Sequence, residues 1–184
     1  MLHMLRLTAL LIPALLLAAC ESPALAPRYQ GTALLAKAAQ TAGAQGVSLT
    51  QFQGPANFPS NCRGLTPLAL PEGRSPTSFI QEAFSQELGS VLVDAKAAPG
   101  IVLQGTVEPL NFSTSKAITM GEWNIGLVLR SSNGRQLSAS VSREFDSGFE
   151  YHEACRNTAA AFTTTVQSLI ESIANNPEFP ALLH

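Results

Sequence analysis

The most regular hydrophobic spacing lies near the C-terminus. Cys155, Ala159, Phe162, Val166, Leu169, Ile170 and Ile173 recur at helical intervals, and Asn175-Asn176-Pro177 closes the run. A second stripe, Phe79, Ile80, Ala83, Phe84, Leu88, Val91 and Leu92, predicts another helix. Ser75 is its natural N-cap, and Pro76 falls at the first helical position, where its missing N–H costs nothing. Glu82 and Glu87 on this helix read as a solvated face. Between the two helices the period changes to two. Ile101, Leu103 and Val107 alternate in a strand running to about Phe112, and Trp123, Ile125, Leu127 and Leu129 share one face of the next. Leu137, Ala139, Val141 and Phe145 oppose Gln136, Ser138, Ser140, Ser142 and Glu144 in the last. One face of this sheet is therefore expected to be buried and the other wet. Asn133-Gly134 predicts the hairpin between the last two strands, both residues tolerating positive φ.

Upstream the pattern weakens. Leu65 to Leu70 is taken as the first strand, with Pro67 demoting it to an edge or a bulge. Val47 to Phe52 alternates enough for a short edge strand, and Thr32 to Ala42 has the length of a short helix with a thin apolar face. Residues 54–64, GPANFPSNCRG, have loop chemistry. Phe179, Leu182 and Leu183 give the C-terminal tail enough apolar surface to dock back. Two one-sided helices and a one-sided sheet have one economical arrangement, an α+β fold in the order β-α-β-β-β-α. It is a four-stranded mixed sheet with two helices on one face, the first strand parallel to the one after the crossover helix.

The N-terminus has a different pattern. Met1, Arg6 and a 13-residue apolar run from Leu7 to Ala19 have the layout of a secretory signal. As helix this run spans about 20 Å, short of the ~30 Å hydrocarbon core. Its end, Leu17-Ala18-Ala19-Cys20, resembles the lipobox of bacterial lipoproteins. The resemblance implies lipidation of the Cys20 thiol, cleavage before Cys20 and acylation of its amine. Residues 1–19 are then a lipoprotein signal, 20–45 a lipidated tether and variable segment, and 46–184 a single periplasmic domain compact from about Leu65. Pro23 and Pro27 in the tether suit a spacer.

Charge changes the picture little. The mature chain keeps 10 basic and 13 acidic residues, too acidic for non-specific nucleic-acid binding. Cysteine usage adds more. With Cys20 given to lipid, Cys62 and Cys155 remain as an even pair suited to an oxidising compartment. A bridge between them would close a loop of about 90 residues, and two free buried thiols are the alternative. No CxxC companion supports a metal site.

Candidate chemistry is sparse. GxSxG, P-loop, GxGxxG and HExxH patterns are absent, so no catalytic set, metal or cofactor is expected. His152, between Glu150 and Glu153, could serve as an acid/base centre, but a solvated helix start explains it more simply. Trp123 is in phase with the core. The Asn111–Gly121 connection, with Asn111, Ser113, Thr114, Ser115 and the cationic Lys116, is the best partner-binding loop.

The lipobox and element order together resemble small Gram-negative envelope lipoproteins, among them the lipopolysaccharide-assembly and ABC-transport-auxiliary lipoproteins and related uncharacterised ones. The resemblance implies membrane attachment through the N-terminal lipid and an envelope protein partner. Glu21 in place of an aspartate after the cysteine implies the outer membrane, facing the periplasm. A non-catalytic binding or assembly subunit is the leading expectation. An envelope hydrolase using His152, or a structural lipoprotein contacting peptidoglycan or a barrel protein, are its rivals.

Overall fold

The computed structural model describes residues 27–44, 46–93 and 100–184. The signal, Cys20 and most of the tether lie outside these residues. The described chain forms α1 (Leu34–Thr41), β1 (Val47–Leu49), β2 (Asn61–Cys62), β3 (Thr66–Pro67), α2 (Pro76–Leu88), β4 (Ile101–Ser113), β5 (Met120–Ser131), β6 (Gln136–Asp146) and α3 (Tyr151–Ala174). The main sheet has the order β1-β4-β5-β6, with β1 parallel to β4 and the other pairs antiparallel. This is the expected α+β class with a four-stranded mixed sheet.

The first strand is a correction. Leu65–Leu70 does not enter the main sheet. Thr66–Pro67 pairs only with Asn61–Cys62 in a small hairpin, while Val47–Leu49 lies along Ile101–Leu103. Both residues of β3 are exposed, whereas Val47 and Ser48 are buried, so β1 is the segment that gains by taking the edge beside β4. The edge beyond β1 is partly closed by Val93, whose amide donates to the Val47 carbonyl at 2.8 Å.

Helix α2 starts as its sequence requires, with the Ser75 hydroxyl accepting from the Ser78 amide and Pro76 in the first turn. It ends earlier than the stripe suggests. A 3₁₀ turn follows at Gly89–Val91, and Leu92 leaves in extended conformation. Helix α3 is the long one, burying Ala159, Phe162, Val166, Leu169, Ile170 and Ile173 against β5 and β6. The aromatic centre runs from Phe79 to Phe162 at 5.2 Å and from Phe162 to Trp123 at 4.8 Å. The Trp123 indole N–H donates to the Thr158 carbonyl at 2.9 Å, so the buried ring has its polar atom satisfied.

A third helix, α1, packs on α2 and α3 and buries Leu35, Ala36 and Ala39. It overturns the solvated reading of Glu87. That residue is fully buried, and its carboxylate accepts from Tyr29 Oη at 2.7 Å, Thr32 N at 2.6 Å, Thr32 Oγ1 at 2.9 Å and Leu34 N at 2.7 Å. Burial alone would raise its pKa, but these hydrogen bonds favour the charged form and hold it below the usual value. Burial and the neighbouring Glu87 push the Tyr29 phenol upward.

Two irregularities place the ends of the sheet. In β4, Val107 pairs with Leu127 but Leu110 with Ile125, so one extra residue sits opposite β5. The bulge moves the buried set from Leu103, Gly105 and Val107 to Leu110 and Thr114. It also covers Gly126, where a Cβ would lie 2.4 Å from the Glu108 carbonyl oxygen. The β5–β6 hairpin forms at Asn133-Gly134, but only Gly134 has positive φ, at 85°. Asn133 acts through its side chain, donating to the Ala181 carbonyl at 2.9 Å and so holding the C-terminal tail. Phe179, Leu182 and Leu183 are buried there, as their apolarity requires. Gln136, Ser138, Ser140, Ser142 and Glu144 remain exposed on the opposite sheet face.

Candidate functional site

Three loops meet at the end of the sheet where β4 finishes, β5 begins and α3 starts. The first is shorter than the sequence suggests. Asn111 and Ser113 belong to β4, and the connection proper is Thr114–Thr119. The alternation simply continues through polar residues, which hydrophobic spacing cannot register. Thr114 is buried, and its carbonyl accepts from the Ser147 hydroxyl at 2.9 Å. Ser115 and Lys116 are exposed.

Lys116 reaches back over the wet face. Glu122 and Glu144 are direct cross-strand partners, an arrangement that like charge disfavours. Lys116 Nζ bonds to Glu122 and lies 2.8 Å from Glu144, drawing both carboxylates onto one cation. Ser142 Oγ donates to Glu122 at 2.8 Å, and Asn124 Nδ2 donates to Asn111 Oδ1 at 3.2 Å. The hydrogen bond to Lys116 pulls the Glu122 pKa down, and the bonds to Glu122 and Glu144 pull that of Lys116 up. Of the sequence-predicted residues, Asn111 and Lys116 are thus joined by Glu122, Asn124, Ser142 and Glu144, while the Ser115 amide bonds only within the loop, to Ser113 Oγ. Cross-strand register brings these together, and it is not written in sequence spacing.

The second loop joins β6 to α3. The Ser147 amide donates to the Thr119 carbonyl at 2.7 Å, tying it to the first loop. The Glu150 side chain caps α3, accepting from the Glu153 amide at 2.9 Å. That bond is the largest influence holding Glu150 below the ordinary carboxylate range. His152 is exposed, with its ring 4.9 Å from that of Tyr151.

The third is the β2–β3 hairpin, bound to α3 by the disulfide Cys62–Cys155. The bridge expected from cysteine arithmetic is therefore present, and Cys155 lies in the first turns of α3. Arg63 Nη1 and Nη2 donate to the carbonyls of Phe149 at 2.7 Å and Gly148 at 3.1 Å. Thr66 Oγ1 and Tyr151 Oη also bond. Among the described residues, no group of three or more His, Cys, Asp or Glu is placed to hold a metal ion. A cleft of about 270 Å³ elsewhere is lined by Tyr29, Arg74, Phe79 and Glu82, with Arg74 paired to Glu82.

No family model matches this chain, and no curated protein matches it. Among the solved structures similar to it are two bacterial proteins. One is protein XCC0632 from Xanthomonas campestris, described under the family DUF330. Its identity is 13% over 71% of this chain and 82% of that one, with a TM-score of 0.46. The other is lipoprotein GNA1162 from Neisseria meningitidis. Its identity is 16% over 71% of this chain and 99% of that one, with a TM-score of 0.30. At these identities and TM-scores neither likeness carries a function to this chain.

Proposed function

We propose that this chain is a non-catalytic binding or assembly subunit of the bacterial envelope. Lipid on Cys20 holds it to the outer membrane, its domain faces the periplasm, and it engages an envelope protein. The observation that carries this reading is the Cys62–Cys155 disulfide in a chain whose leader ends in Leu17-Ala18-Ala19-Cys20. Such a bridge persists in an oxidising compartment. The described chain begins beside α3, where Thr163 Oγ1 donates to the Pro27 carbonyl at 2.7 Å, so few residues separate domain from lipid. One acyl chain binds a membrane only marginally, and the several expected on Cys20 hold the protein there.

Cys20→Ser tests the anchor. The variant should lose its acyl mass and leave the membrane fraction; unchanged mass and fractionation reject it. Substituting Ser115 and Lys116 tests the binding role, and should weaken recovery of the partner without unfolding the domain. A silent loop variant, together with loss of function in a folded His152→Ala protein, would replace the binding subunit with an enzyme.

A further inference from the structure

Among the described residues, the large hydrophobic side chains that stand exposed are Leu65, Leu92, Ile118 and Phe149. Leu92 is only 36% exposed, whereas Leu65, Ile118 and Phe149 are exposed by 72%, 80% and 77%. These three come one each from the three loops gathered at the α3 end. Isolated surface hydrophobics need no explanation, but a group confined to one end of a domain does.

The chain also holds these loops in place. The hairpin bearing Leu65 turns with φ of 47° at Arg63 and 72° at Gly64, and an arginine rarely adopts such a conformation. Its guanidinium is fixed on the Gly148 and Phe149 carbonyls, and the disulfide holds the hairpin's base to α3. The loop bearing Ile118 is tied to the Ser147 and Gly148 amides through Thr119. None of these three apolar side chains fills the core, and the bonds hold the loops that carry them in fixed positions. A preordered surface loses less conformational entropy when it binds.

Charge around the apolar residues selects the occupant. Glu122, Glu144, Asp146, Glu150 and Glu153 outnumber Lys116, Arg63, Arg156 and Arg143 at this end. Lys116 is engaged by two of the carboxylates. An anionic leaflet or a second copy of the chain would meet like charge here. We propose that Leu65, Ile118 and Phe149 form one docking surface for a different protein, whose contact is an apolar patch flanked by lysine or arginine. This deepens the binding-subunit reading and rests on it.

The test uses the full-length, membrane-bound protein with a photo-reactive phenylalanine analogue at Ile118, and separately at Ser140 on the open sheet face. Illumination in host cells should give an adduct with one other protein from position 118. Mapped by mass spectrometry, the joined peptide should carry basic residues beside apolar ones. Leu65→Ser and Phe149→Ser should each lower its yield about tenfold while leaving thermal unfolding unchanged. Adducts with lipid alone, with a second copy, or with an acidic peptide overturn the proposal, as do yields that the two serine variants leave unchanged. A protein adduct from Ser140 with none from Ile118 overturns this surface but keeps the binding subunit. No protein adduct from either position overturns both.

Discussion

The Leu34 amide donates to Oε2 of Glu87 across 2.7 Å, so the first turn of α1 is capped by a carboxylate that belongs to α2. Helix α1 has no side-chain cap of its own, its N-cap Ala33 standing at φ 58°. One buried acid thus joins the segment after the tether, α1 and α2 into a single unit.

Glu87→Ala should therefore destabilise the domain by about 2–3 kcal/mol, because it leaves the Tyr29 hydroxyl and two amides without their acceptor. Urea unfolding at neutral pH measures it. The acid dependence follows from the lowered pKa of this carboxyl. Its contribution is fully present above the ordinary value of 4.5 and is lost as pH falls through the lower folded value. Glu87→Gln should accordingly show a shallower loss of stability below pH 4.5 than the parent protein.

Reducing the disulfide, or replacing Cys155 by serine, should lower stability by roughly 4–5 kcal/mol on the chain-entropy estimate for so long a loop. Unfolding with and without a thiol reductant reads this directly. Equal midpoints would mean that the bridge contributes nothing.

Phe162→Ala should cost about 3–5 kcal/mol, since the ring is fully buried between Phe79 and Trp123. Loss of tryptophan fluorescence structure at a lower denaturant concentration would report it. By contrast, Lys116→Ala should lower the unfolding midpoint only slightly, and chiefly at low salt, because it leaves Glu122 opposite Glu144 in a partly exposed, salt-screened setting.

Gly126→Ala tests the β4 bulge. The added methyl would meet the Glu108 carbonyl oxygen at 2.4 Å and Pro109 Cδ at 2.7 Å, and neither is the free end of a flexible side chain. A destabilisation of about 1–3 kcal/mol is expected. An unchanged midpoint would show that the bulge yields freely.

Hydrophobic spacing carries most of the long elements, though it runs α2 past its end at Leu88. The α3 stripe, the Ser75-Pro76 start of α2, the one-sided β6 and the apolar tail are all local patterns, and each is legible in the sequence. The misses share a different physics. Val47–Leu49 forms only three register pairs with β4, too few for alternation to favour it over Leu65–Leu70. Glu87 looks like any exposed helical acid until α1 is placed against it. The β4 bulge reverses alternation midway, and the Glu122–Glu144 opposition exists only once β5 and β6 are in register. At the site, Lys116 and the two cysteines were visible as residues. Leu65 reads instead as the start of a strand, and nothing in the spacing of Ile118 or Phe149 shows that the three loops meet.

The bond between Cys62 and Cys155 spans 93 positions and turns that part of the chain into a covalent ring. Strands β3 to β6, helix α2 and the first residues of α3 are strung on it, while α1 and β1 hang outside. One cut of the backbone anywhere on the ring opens it without releasing a fragment. Nicked molecules should therefore migrate as single species until reductant is added, and then separate into two. After scission of any one of those connections the N-terminal segment and the three loops stay on the same molecule.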